Sequence, residues 1–206
     1  MKKFLFCAAI AVFGLWNVNA QEVKFGVKAG LNLASISGDD TEDLDGRTSF
    51  HFGGIAEIKL SDKFSFQPEL LYSAQGAKSS YEDQFEKEEA TIKLDYINLP
   101  LMAKYYVAEG FSIEAGPQIG FLMNSEADYD YIDKEDPEFS ESGTEDLKDE
   151  IKGIDFGFNL GFGYKLEGGL NFGARYNLGL SDLWDVDNGG IKNQNSVIQI
   201  SIGYMF

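Results

Sequence analysis

The chain has one cysteine, Cys7, and one histidine, His51, among 206 residues, and only 17 Lys and Arg against 34 Asp and Glu. Each scarcity closes a class of function. Cys7 falls in a leading segment marked for removal, so the mature chain carries no thiol, disulfide or cysteine-based metal site. The net charge of −17 leaves no basic surface. Nucleic acid is thereby excluded as a partner, because phosphate binding needs cations. The one long apolar run, residues 4–16, is too short for a helical membrane span.

That run follows Lys2 and Lys3 and precedes the small residues Val18 and Ala20. Residues 1–20 read as a cleaved signal peptide, and residues 21–206 as one domain. No lipobox-like stretch leads into Cys7, so lipid attachment there is not expected. Loss of Lys2 and Lys3 takes the net charge from −17 to −19. The acid is concentrated in residues 39–45, 82–89, 126–150 and 182–187, which hold 25 of the 34 Asp and Glu. Between these stretches, apolar and polar residues alternate.

The period of two predicts eight strands: residues 23–33, 50–60, 64–74, 90–107, 111–123, 154–166, 170–180 and 196–206. In the fourth, the parity of Ile92 and Leu94 differs from that of Ile97, Leu99 and Leu101, which predicts a β-bulge near Asp95 or Tyr96. Pairing like faces across the hairpins sets Leu60 opposite Phe64, Val107 opposite Phe111, and Leu166 opposite Leu170. Each pairing leaves a three-residue turn, and Gly110 and Gly169 suit the left-handed last position. The other connections are long and acidic. Short and long connections alternate, as in an all-β, eight-stranded, antiparallel up-and-down transmembrane barrel with short periplasmic turns and long acidic extracellular loops.

Alternation alone leaves open whether the apolar face points into a soluble carrier or out into lipid. The polar face mixes Lys, Arg, Glu, Asn and glycines, which suits a narrow packed interior. Strands of about eleven residues match a tilted bilayer crossing. The chain ends on Ile198, Ile200, Ile202, Tyr204 and Phe206 in alternation. A terminal aromatic resembles the signal by which outer-membrane barrels are recognised for insertion, here Tyr204 and Phe206. The apolar face is therefore expected to meet lipid.

The opening VKFGVKAGLNLASISG, the stretch DYINLPLMAKYY and the closing IQISIGYMF resemble the PorT-like outer-membrane β-barrel proteins, often called the porin family. The resemblance spans the mature chain, with YINLPLMAKYY its most specific part. It implies an eight-stranded outer-membrane barrel, and some members serve protein secretion. It supplies no catalytic motif.

The predicted lumen carries Lys28, Glu57, Glu69, Lys104, Glu114, Asp155 and Arg175. Register sets Lys104 opposite Glu114, Glu57 opposite Gln67 and Arg175 opposite Gly161. Buried charges need partners, so these seven are expected to form a core-filling network that plugs the lumen; a narrow solute channel is the alternative. His51 lies on the lumen side near Ser49 without a distinctive nucleophile-base spacing, so no catalytic residue is assigned. Residues 128–133 alternate oxygen-bearing side chains but lack a calcium-loop pattern, so no metal or cofactor is assigned either. Residues 126–150 read as a solvated, largely mobile acidic insert with short β extensions around Tyr129 to Ile132. Tyr72, Tyr105, Tyr106, Tyr164, Tyr176, Tyr204 and Trp184 read as interfacial girdles.

The expectation is a non-enzymatic barrel in the cell outer membrane, acting through acidic surface loops in envelope interaction or assembly. Its expected partners are outer-membrane lipid and lipopolysaccharide, the barrel-assembly machinery through the C-terminal strand, and an envelope or secretion protein.

Overall fold

The computed structural model describes residues 22–185 and 190–206, so the expected signal peptide with Cys7 lies outside the described residues. Among the described residues, nine strands run in chain order: β1 (Val23–Gly38), β2 (Asp45–Lys59), β3 (Phe64–Glu82), β4 (Glu86–Tyr106), β5 (Phe111–Asp133), β6 (Glu141–Asp146), β7 (Ile154–Lys165), β8 (Leu170–Gly179) and β9 (Asn193–Met205). All pairings are antiparallel. Eight strands close a ring in the order β4-β3-β2-β1-β9-β8-β7-β5, and β4 pairs back to β5. The ninth, β6, stands outside the ring beside β5.

Short turns set the register at one end. The Leu60, Val107 and Leu166 N–H groups donate to Phe64, Phe111 and Leu170 carbonyls at 2.8, 3.0 and 2.8 Å. Gly110 and Gly169 take φ of 73° and 95°, the left-handed position that only glycine fills without strain. The turn without glycine uses Ser61 instead, whose Oγ accepts the Phe64 N–H at 3.1 Å.

The wall is apolar outward and polar inward. Phe25, Val27, Leu31 and Leu33 of β1, and Ile198, Ile200, Ile202 and Tyr204 of β9, are about half exposed, while Lys28, Asn32, Glu69 and Gln199 are buried. Buried polar and charged residues outnumber buried hydrophobic ones, the inverse of a water-soluble domain. The interior is narrow: a Cβ added at Gly163 would sit 2.5 Å from Glu114 Oε1.

The structure corrects the expected pattern at the other end. Residues 82–89 and 126–150 are not simple loops, and of the strands found there only the extension around Tyr129 to Ile132 is expected from the sequence. Strands β3 and β4 extend to a tip at residues 83–85, β5 continues to Asp133, and residues 141–146 form β6, adding one strand to the expected eight. The acidic extensions hold because each is laddered to a neighbour and lysines of β4 offset part of the acid, with Lys87 Nζ 3.0 Å from Glu89 Oε1 and Lys93 bound to Asp128.

Nor does β4 slip. Its register with β3 is continuous, and the irregularity at Asp95/Tyr96 falls on the facing strand, where Met123 is the extra residue. Ile92, Leu94 and Tyr96 point inward on the same parity as Asn98, Met102 and Lys104. They are apolar because the inside of the outer half is itself a hydrophobic core.

Candidate functional site

Inward-facing positions bring five of the predicted charges together at mid-barrel. Glu69 of β3 accepts from Lys28 Nζ at 2.7 Å and from Arg175 Nη1 and Nη2 at 3.0 and 2.8 Å. Gln67 Nε2 adds a fourth donor at 2.7 Å, leaving the fully buried carboxylate saturated. Glu114 pairs across the β4–β5 ladder with Lys104 at 3.0 Å and lies 3.6 Å from Arg175. Arg175 stands opposite Gly161, and that absent side chain leaves its guanidinium room to cross the lumen. The space remaining beside Lys28, Lys104, Glu114 and Arg175 is about 20 Å³, enough for about one water.

The other two predicted charges lie apart. Glu57 keeps its register with Gln67, bracketed by Ile55–Glu69 and Ile58–Phe66, yet it bonds elsewhere. It accepts from Lys165 Nζ at 2.8 Å and from the Tyr106 hydroxyl, at the short-turn mouth. Asp155 is buried toward the opposite end and accepts from Ser181 Oγ at 2.8 Å, with no cation bound among the described residues.

Amides and hydroxyls fill the space outside the charge cluster. Asn32 Nδ2 donates to Ser73 Oγ at 3.0 Å and to the Ala74 carbonyl at 2.7 Å, so its Oδ1 is the acceptor for Gln199 Nε2 and for His51 Nδ1, at 3.0 and 2.8 Å. His51 thus has a packing role. Ser49 directs its hydroxyl to the Ala74 carbonyl at 2.6 Å, so serine and histidine are not hydrogen-bonded to each other.

Above this belt, Ile36, Ala77, Leu94, Tyr96, Leu147, Ile151 and Leu183 form a buried apolar cluster, with Ile92, Leu122 and Trp184 packed against it. The segments after β6 and after β8 supply its lid. Ile151 bridges Trp184, the Lys152 N–H donates to the Leu183 carbonyl at 2.7 Å, and the Asp185 N–H donates to the Glu150 carbonyl at 2.8 Å. Trp184 Nε1 donates to Asn193 Oδ1 at 2.8 Å. Trp184 therefore belongs to this cap and not to a girdle, and Tyr106 belongs to the inner mouth. Tyr105 and Tyr204 do sit on the outer wall, Tyr105 tilted against Phe64 at 5.0 Å and Tyr204 edge-on to Phe206 at 5.7 Å. The cap escapes a reading of strand periods because Leu147, Ile151, Leu183 and Trp184 lie in connections. The inward parity of Ile92 and Leu94 is the signal that points to it.

Of the acids in residues 128–133, Asp128 is engaged across the sheet and Asp133 accepts from the Glu135 and Asp136 N–H groups at 2.9 Å. Asp128 accepts from Lys93 and from Thr144 Oγ1, and the Lys93 hydrogen bond holds its carboxyl below the usual range.

A family model described as "Outer membrane protein beta-barrel domain" matches residues 19–185. No curated protein matches the chain. Among solved structures, Ail, the attachment invasion locus protein of Yersinia pestis, has a TM-score of 0.50 and 12% identity over 90% of this chain and 99% of its own. Neisserial surface protein A (NspA) gives 0.51 and 12%, again over 90% and 99%. At such identities the likeness is one of fold. The family match, which spans most of the chain, and the apolar outer wall lead to one conclusion: the chain belongs to the outer-membrane protein β-barrel domain family, and the outer membrane is where it resides.

Proposed function

We propose that this is a non-enzymatic barrel of the PorT-like kind, whose lumen is a structural plug and whose acidic outer segments act in envelope interaction or assembly. The observation that carries the reading is the saturation of the mid-barrel charges around a space of about 20 Å³. A polar path needs mobile or hydrated groups, and a carboxylate held by four donors supplies neither. Lipid and lipopolysaccharide are the partners of the wall and rim. The C-terminal strand, through Tyr204 and Phe206, engages the barrel-assembly machinery, and an envelope or secretion protein is the partner of the outer segments.

Complementation of a deletion strain's envelope phenotype tests this. Replacing residues 127–145 with Asn-Gly closes the β5–β6 hairpin at the paired Glu126 and Asp146. That variant is expected to insert and fail to complement, whereas a lumen variant with Lys28, Glu69 and Arg175 all changed to Met inserts and complements. Full complementation by the shortened hairpin contradicts the reading.

A further inference from the structure

The outer sheet separates its charges by side. Beyond the cap, β3, β4, β5 and β6 continue as four paired strands, and their registers fix which side chains share a side. Tyr81, Glu88, Tyr131 and Glu141 form one row; Ser79, Ala90, Tyr129 and Gly143 form the next. This is the side that faces the barrel axis, because the following row, Ala77, Ile92 and Ala127, packs into the cap.

The lysines of these strands fall on the other side. Lys78 stands level with Thr91 and Asp128, Lys87 with Glu82 and Ile132, and Lys93 with Gly76 and Glu126. Two of them are already paired, Lys87 with Glu89 and Lys93 with Asp128. On the axis-facing side beyond the cap, the described residues of the four strands include carboxylates and tyrosines and no lysine or arginine. Neither Glu88 nor Glu141 has a side-chain hydrogen bond or ion pair among the described residues.

That side also has a shape. A groove of about 340 Å³ is lined by Tyr81, Glu88, Ala90, Tyr129, Tyr131 and Glu141, and Glu89 and Asp130 also border it. Small residues make it: the Tyr129 ring lies over Gly143, where an added Cβ would come within 2.5 Å of the hydroxyl. The Tyr81 and Tyr129 side chains are substantially exposed, and the Tyr131 hydroxyl is anchored on Glu86 Oε2 at 3.1 Å. Half-exposed aromatic rings outside the membrane layer are characteristic of protein contact surfaces.

We propose that this groove binds an extended protein segment bearing lysine or arginine side chains, laid across the outer mouth of the barrel. A cation set over a tyrosine ring beside an uncompensated carboxylate is held by both. Of the groove's acids, Glu89 is already paired with Lys87, which leaves Glu88, Asp130 and Glu141 to meet the cation. The proposal rests on the reading that the outer segments carry the function, and it names their ligand class.

The test uses the refolded chain in detergent micelles and fluorescence anisotropy with a labelled peptide of about ten residues alternating lysine and threonine. Glu88→Gln with Glu141→Gln is expected to weaken binding about tenfold, and Tyr129→Leu about threefold. Glu126→Gln with Asp128→Asn removes the same charge from the other side and is expected to change affinity less than about twofold. Equal losses from the two pairs would mean non-specific attraction to an acidic protein and overturn the proposal. So would absence of binding by the native chain, or equal binding of a glutamate-threonine peptide. The complementation experiment separates the two ideas: hairpin-dependent complementation without side-specific peptide binding removes this inference and leaves the functional reading standing.

Discussion

Glu69→Gln is the sharpest perturbation of the lumen. The native carboxylate takes donors from Lys28, Arg175 and Gln67, and its side chain has no exposure. Neutralising it leaves Lys28 and Arg175 facing each other in a closed interior, with only Glu114 at 3.6 Å to offset Arg175. Removing one partner of a buried pair costs about 3–5 kcal/mol, whereas replacing the whole group by apolar residues is often neutral or favourable. Glu69→Gln should therefore lower stability by about 3–5 kcal/mol, while the triple change of Lys28, Glu69 and Arg175 to Met stays within about 2 kcal/mol of native. Urea unfolding of the refolded barrel in lipid vesicles, followed by Trp184 fluorescence, reads both. A Glu69→Gln variant within about 1 kcal/mol of native, or a triple variant worse than the single one, refutes the argument that these charges stabilise only as a set.

Leu94→Ala opens the cap and should cost about 2–5 kcal/mol, with acrylamide quenching of Trp184 rising in parallel; unchanged quenching would mean that Trp184 does not pack on this core. The shortened hairpin lacking residues 127–145 should still refold to a heat-modifiable barrel, because β6 lies outside the ring; failure to refold would make the outer sheet part of the barrel's own stability. At the β3–β4 tip, backbone N–H groups of Glu86 and Phe85 hold the Asp83 carboxyl below its usual range. A lowered folded pKa gives stability that is present above the ordinary carboxylate range and lost as pH falls through the lowered value. The Phe85 and Glu86 amide resonances should shift in that acidic window, and Asp83→Asn should abolish the shift.

Much of the ring is legible in the sequence, for a physical reason. A wall with lipid on one side and a filled lumen on the other forces strict alternation, so strand starts such as Phe64, Phe111, Ile154 and Leu170 coincide with the start of the pattern. Three-residue turns then fix register, which is why the Lys104–Glu114 pairing can be read without coordinates. Legibility ends where both sides of the sheet meet water. Past the membrane layer no face must be apolar, so β6 and the tops of β3 and β4 leave only an acidic composition that suggests loop, and only the stretch around Tyr129 to Ile132 marks the extension of β5. The parity of Ile92 and Leu94 misleads because two different interiors share one strand, polar below and apolar above. Glu57 and Asp155 are predicted inside, and they are, but height along the axis sends each to its own partner.

The central claim is that the barrel is closed, by ion pairs at mid-height and by an apolar cap at the outer end. Planar-bilayer conductance of the refolded mature chain tests it most directly, beside a variant with Lys104 and Glu114 both changed to Ala. The account predicts silence from the native chain, and silence from the variant too as long as the cap around Leu94 and Trp184 is intact. Stable unitary conductance from the native chain would contradict it and make the lumen a channel.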